Sequence, residues 1–226
     1  MTDDMIGITE RADPTVNLNW LPWVESGKPA ILITKSPSRL LPMLSAGNNI
    51  IIHCTITGLG GTPIEPSIYD PSVEVQAYHD LCRVFGSHRV ILRIDPIIPW
   101  LISAAEYVRL ASESEGRVRI SFLDMYPHAR SRFSGAGIDT SAQSSFHALL
   151  SVRQDYYNDL GEPEVCAEPG LPSVPCVGVE DCVVLGVSPK DNLRGQRPLC
   201  GCLGNKTELC NTLPRCSYGC LYCYWK

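Results

Sequence analysis

The chain has 226 residues, 44% of them hydrophobic and 19% charged, a balance that suits a globular protein with one sizeable core. A formal net charge of −5 excludes a global basic footprint for nucleic acid, so any such contact falls to local patches. No run approaches about 18 apolar residues, which argues against a helical membrane span. The acidic opening "MTDDMIGITERAD" lacks the features of a signal peptide and predicts a cytoplasmic, reducing setting.

Taken in chain order, "MIGIT" (5–9) is a short strand candidate and "AILITK" (30–35) a second. "PSRLLPMLSAG" then separates it from "NIIIHCTITG" (49–58). "GLGG" (58–61) lacks the spacing and lysine of a phosphate loop and reads as a strand-to-helix turn. "PSVEVQAYHDLCRVFG" has helical periodicity and ends at a glycine, as does "ISAAEYVRLASESEG" further on. Between and after them come "RVILRIDPI" (89–97) and "RVRISFLDMY" (117–126), near-continuous apolar runs of the kind buried on both faces of a parallel sheet. The spacing predicts a long final helix over 141–161. These repeated β–α units predict an α/β fold, a parallel sheet open or partly closed as a (β/α) barrel over residues 1–160. Residues 161–226 form a tail rich in Pro, Gly and Cys with little periodicity, expected to belong to the same domain.

Eleven cysteines are present, yet only Cys54 and Cys82 lie in the first 160 residues, and six crowd into the last 27. In a reducing compartment that clustering points to metal or redox chemistry rather than disulfides. Cys54 and Cys82 sit in apolar or helical runs and read as small buried hydrophobes. Cys216, Cys220 and Cys223 form C-x3-C-x2-C. Three thiolates in one loop are able to hold three corners of a 4Fe-4S cluster and leave one iron open. That open iron is what radical S-adenosylmethionine chemistry requires: it binds the cofactor's amino and carboxylate groups, and one electron then releases a 5′-deoxyadenosyl radical. Tyr218, Tyr222, Tyr224 and Trp225 are placed to shield the site or flank the adenine. Two rivals share the spacing: a zinc-stabilised nucleic-acid-binding module with Cys210 as fourth ligand, and an iron–sulfur electron-transfer protein. Cys166, Cys176, Cys200 and Cys202 form a second candidate set, for an auxiliary cluster or structural zinc.

The segments "ILITKSPSRLLPML", "TITGLGGTPIEP", "RVILRIDPI", "ISFLDMYPHARSRF" and "CAEPG…KDNLRGQRPLCGCLG…TLPRCSYGCLYCYW" resemble, in the same order, a bacterial and phage family related to spore photoproduct lyase. That family carries the radical S-adenosylmethionine cysteine motif at the C-terminal end, and the likeness covers about residues 30–226. It implies a partial, circularly permuted (β/α) barrel, because the cysteine loop of such enzymes ordinarily follows the first strand. It implies a 4Fe-4S cluster, S-adenosyl-L-methionine and a one-electron reductant such as flavodoxin or ferredoxin. It also implies a lyase or isomerase acting on DNA or a nucleotide, through repair of a thymine-derived lesion or rearrangement of a modified thymidine. By the same resemblance, Lys35 contacts the cofactor carboxylate, Thr55 supplies a hydroxyl and Asp95 a backbone carbonyl.

Other residues are read from their positions. Thr55 and Thr57 point to one face of their strand, as cofactor contacts or as polar lining. Glu65 is a candidate for a ribose or substrate. Arg93 and Asp95 lie in a buried strand and must pair or face a cavity. Asp124 and Tyr126 end another strand and are the catalytic candidates; Tyr126 is either a hydrogen-atom relay or a packed tyrosine. Lys190, Arg194 and Arg197 form a basic cluster suited to phosphate or to a solvated turn.

Overall fold

A computed structural model describes residues 4–191, 199–212 and 214–225. The apolar runs are strands β1 (Ile6–Ile8), β2 (Ala30–Thr34), β3 (Ile50–Thr55), β4 (Val90–Ile97) and β5 (Val118–Phe122). The tail adds two short ones, β6 (Glu164–Val165) and β7 (Lys206–Glu208). All seven pair in parallel, in the order β6-β5-β4-β3-β2-β1-β7. The sheet curls into a half-barrel, which agrees with the partial barrel expected from the β–α pattern.

Both faces are covered, which is why the strands read as unbroken apolar runs. On one face Leu32, Ile50, Ile52, Cys54 and Leu92 pack under Trp20, Leu40 and the helix α1 (Pro71–Phe85), whose Tyr78, Leu81 and Cys82 face inward. Cys54 and Cys82 are thus core residues, as expected. Asp70 caps α1 by accepting from the Ser72 amide, and Gly86 ends it. On the opposite face Ile6, Ile8, Ile31, Ile51 and Ile91 meet Cys166, Cys176, Val177, Cys182 and Cys202 from the tail. The chain leaves the sheet at β6 on one edge and rejoins it at β7 on the other, so the tail spans the face that the helices leave open. It is therefore part of the same sheet and core.

The predicted helix over 141–161 is shorter than expected: α4 covers Leu150–Asp159 only. Tertiary hydrogen bonds hold the preceding residues in another conformation. Gln143 donates to the carbonyls of Leu123 (2.9 Å) and Phe146 (3.2 Å), Met125 N–H donates to Phe146 (2.8 Å), and Arg130 holds the Gln143 and Ser144 carbonyls. The helix α2 (Ala104–Ala111) carries a capping box from Ser103 and Glu106. Helices α3 (Pro127–Gly135) and, inside the tail, α5 (Val179–Leu185) lie where none was expected, as do the short helices Leu21–Glu25 and Pro37–Leu40. Among the described residues no helix is long and apolar enough to cross a membrane.

Candidate functional site

Parallel strands bring all their C-terminal ends to one rim, where α/β sheets collect ligands. The cysteine loop is seated there. Tyr218, Cys220 and Tyr222 are buried against Leu59, Ile64 and Ile68 after β3, Ile98 after β4, and Leu123 and Met125 after β5. Polar anchors fix it from both sides. Asn17, fully buried, donates to the carbonyls of Thr212 (2.7 Å) and Pro214 (3.0 Å). The Cys223 carbonyl accepts from His128 Nε2 (3.1 Å) and Arg132 (2.8 Å), both on α3. Leu221 N–H donates to the Ile64 carbonyl (3.0 Å).

Asp13 links this loop to the end of β2. Its carboxylate accepts from the Lys35 amide (2.6 Å), the Thr34 hydroxyl (3.1 Å) and the Thr15 hydroxyl (2.6 Å), and Thr15 in turn meets the Tyr218 hydroxyl. Burial raises the Asp13 carboxyl above its ordinary range, against the pull of these hydrogen bonds.

Under the loop lies a compact polar group. Lys35 Nζ donates to the Asp95 carbonyl (2.8 Å) and to Glu65 (3.2 Å), and sits 4.9 Å from the centre of the Tyr222 ring. Glu65, 2% exposed, also accepts from Thr57 (2.8 Å) and from the Tyr222 hydroxyl. Lys35, Thr55, Thr57, Gly60 and Glu65 line a small crevice. Arg93 pairs with Asp95 at 2.5 Å, so the charges in this buried strand are matched.

Burial disfavours the Lys35 ammonium, but Glu65, Cys220 and Asp95 outweigh it and raise its pKa. Burial likewise works against the Asp95 carboxylate, and Arg93 and Lys35 reverse the balance and lower it. Cys220 is pushed by burial up to about 12, with Lys35 opposing. At neutral pH it is therefore a thiol, and a metal must displace its proton to bind. In the side-chain positions described, no group of three or more His, Cys, Asp or Glu surrounds a point able to hold an ion. Cys216 and Cys223 nevertheless lie near enough to Cys220 to add to the rise of its pKa. Cys210 is buried, its thiol donating to the Asn17 carbonyl at 3.5 Å, in a core cluster that Cys216 also packs against.

The remaining sequence candidates fall in three places. Asp124 and Tyr126 lie on the rim after β5: His147 Nδ1 is 2.8 Å from Asp124, and Tyr126 stacks on His128 and meets Phe146 edge-on. Tyr126 thus reaches the cysteine loop through His128. Cys166, Cys176 and Cys202 are buried together on the tail-covered face, with Cys200 partly buried beside them. The Cys166 and Cys176 sulfurs are 3.4 Å apart. Hydrogen bonds from Cys166 and Cys202, helped by Arg93 and Arg119, favour the Cys176 thiolate. Lys190 is 3.4 Å from Asp4, whereas Arg194 and Arg197 lie outside the described residues.

Sequence reasoning missed Asp13, Asn17, His128 and Arg132. "DPT" is a turn signal in which the Asp side chain bonds its own backbone, as Asp13 does to the Thr15 amide at 3.0 Å. Nothing in Asn17 itself marks a partner nearly two hundred residues away.

A family model described as a domain of unknown function, DUF1848, matches residues 25–225. No curated protein and no solved structure matches the chain.

Proposed function

The chain belongs to the DUF1848 family, and we propose that it is a radical S-adenosylmethionine enzyme acting on a nucleic-acid base. The observation that carries the reading is the place of Lys35. Its ammonium lies beside Cys220, under a three-cysteine loop, at the C-terminal rim of a parallel half-barrel. The donor set fits the cofactors: three thiols on one loop, with the Cys210 thiol engaged by the Asn17 carbonyl, suit a cluster with one iron free of protein. When bound, the cluster and S-adenosyl-L-methionine supply a 5′-deoxyadenosyl radical that takes a hydrogen atom from substrate.

The chain's own part is to hold and shield. Lys35 offers a positive charge to the cofactor carboxylate, with Glu65 and the Asp95 carbonyl fixing its position. Thr55 and Thr57 present hydroxyls to the crevice. Tyr218 and Tyr222 are buried and exclude water from the cysteines. Arg39, over the rings of Tyr69 (4.3 Å) and Tyr218 (5.2 Å), sets a guanidinium at the rim, where a substrate phosphate is met. Asp124 and Tyr126 stand farther out, at the substrate side. The substrate class rests on the ordered likeness to spore photoproduct lyase relatives.

Anaerobic reconstitution followed by dithionite and S-adenosyl-L-methionine tests the proposal. Brown protein that releases 5′-deoxyadenosine is expected. The activity is lost in Cys220→Ala and kept in Cys210→Ala. Colourless protein with zinc on this loop supports the binding-module rival instead. A brown protein without the product supports electron transfer.

A further inference from the structure

The tail-covered face holds a second set of cysteines, on the side of the sheet opposite α1. Cys166, Cys176 and Cys202 are at most 7% exposed, and Cys176 sits between the other two. The Cys166–Cys176 separation bears on the kind of metal these sulfurs would suit. A tetrahedral ion with metal–sulfur bonds of about 2.3 Å holds its sulfurs about 3.8 Å apart. The Cys166–Cys176 distance of 3.4 Å is within a few tenths of that, shortened by a shared thiol hydrogen. In a four-iron cluster each thiolate binds a different iron, and the sulfurs stand farther apart.

An independent observation comes from the neighbouring strands. His53 is fully buried, and among the described residues neither ring nitrogen has a hydrogen-bond partner. The same is true of Arg119 Nη1 and Arg93 Nε. His53 and Arg93 lie two residues beyond Ile51 and Ile91, hence on the same face, and Arg93 pairs in register with Arg119, so these donors share the sheet face that packs against the tail cysteines. Buried donors without acceptors are costly, and metal-bound thiolates, rich in negative charge, supply acceptors.

We infer that Cys166, Cys176, Cys200 and Cys202 bind one zinc-type ion in a tetrahedral thiolate centre, with Arg93, Arg119 and His53 as its surrounding positive and donor shell. Ligation replaces the shared thiol protons and draws the four sulfurs, which as described do not surround one point, around a common ion. The centre ties the chain just after β6 to the chain just before β7, which orders a segment that buries few large side chains.

The inference is independent of the radical reading, and the test keeps them apart. A chain with Cys216→Ala, Cys220→Ala and Cys223→Ala is purified anaerobically and its metals are counted. About one zinc per chain is expected, falling to about a tenth or less when Cys176→Ala is added. Cobalt(II) in its place is expected to give the intense visible absorption of a tetrahedral thiolate site. If the Cys176 variant fails to fold, alkylation of the unmutated chain decides. Zinc should then protect Cys166, Cys176, Cys200 and Cys202, and chelation should expose them. Iron with sulfide at these cysteines, zinc unchanged by Cys176→Ala, or no metal at all would each overturn the inference. Retained zinc in a native chain that forms no 5′-deoxyadenosine would count only against the proposed function.

Discussion

Glu65→Gln isolates the charge that holds Lys35 under the cysteine loop. The glutamine keeps the shape and leaves an oxygen for Lys35 and Tyr222, while its amide faces the Thr57 hydroxyl, which is free to rotate and accept. What is lost is the ion pair. At 3.2 Å and an effective dielectric of about 20, the attraction is about 5 kcal/mol. The Lys35 side chain is 21% exposed, and solvent screening reduces the net effect to about 2 kcal/mol. Anaerobic urea unfolding at pH 7, followed by tryptophan fluorescence, measures it. In the Lys35→Met background the same change should be neutral or stabilising, because it removes a buried carboxylate that has lost its partner. Equal losses in the two backgrounds would refute the coupling. Lys35 would then be a solvated side chain that merely lies nearby.

Other outcomes follow from the same structure. Burial lifts the Glu168 carboxyl from 4.5 to about 7, against the Phe122 amide that donates to it at 2.7 Å. The folded chain keeps a proton there that the unfolded chain releases. The stabilisation, at most about 3 kcal/mol, is complete below pH 4.5 and is lost as pH rises through about 7. Glu168→Gln should flatten that part of the urea-stability profile relative to the parent. Gly60→Ala would set a Cβ 2.0 Å from the Tyr69 carbonyl oxygen. It should cost about 2 kcal/mol or more and speed hydrogen exchange in the loop carrying Glu65, and a wild-type profile would contradict the close approach. Asn17→Ala leaves two carbonyls without their donor. It should cost about 2 kcal/mol and raise exchange in residues 214–223 ahead of the rest of the chain.

The strands were legible because both sheet faces are buried, so that hydrophobicity runs unbroken through "ILIT", "IIIHC" and "VILRI". The meeting of Lys35 with the cysteine loop was legible too: a residue at the end of a parallel strand reaches the common rim whatever the loops do. Residues 141–149 misled because helical spacing says nothing of Gln143 finding carbonyls across the fold. In α5 the signals were present but overlooked. Glu180 and Asp181 fill its first turn, Asp181 accepts from the Gly178 amide, and Gly186 takes the left-handed conformation at its end. Asp13 and Asn17 were beyond reach, since their roles exist only once sequence-distant segments are packed together.

Every strand under the cysteine loop precedes that loop in the chain. During synthesis the bowl and its lysine emerge first, and the sulfurs reach a surface already shaped to receive them. A polypeptide released before Cys216 has the bowl without the cysteine loop. Such a fragment lacks Cys216, Cys220 and Cys223, so under the proposed function it generates no radical.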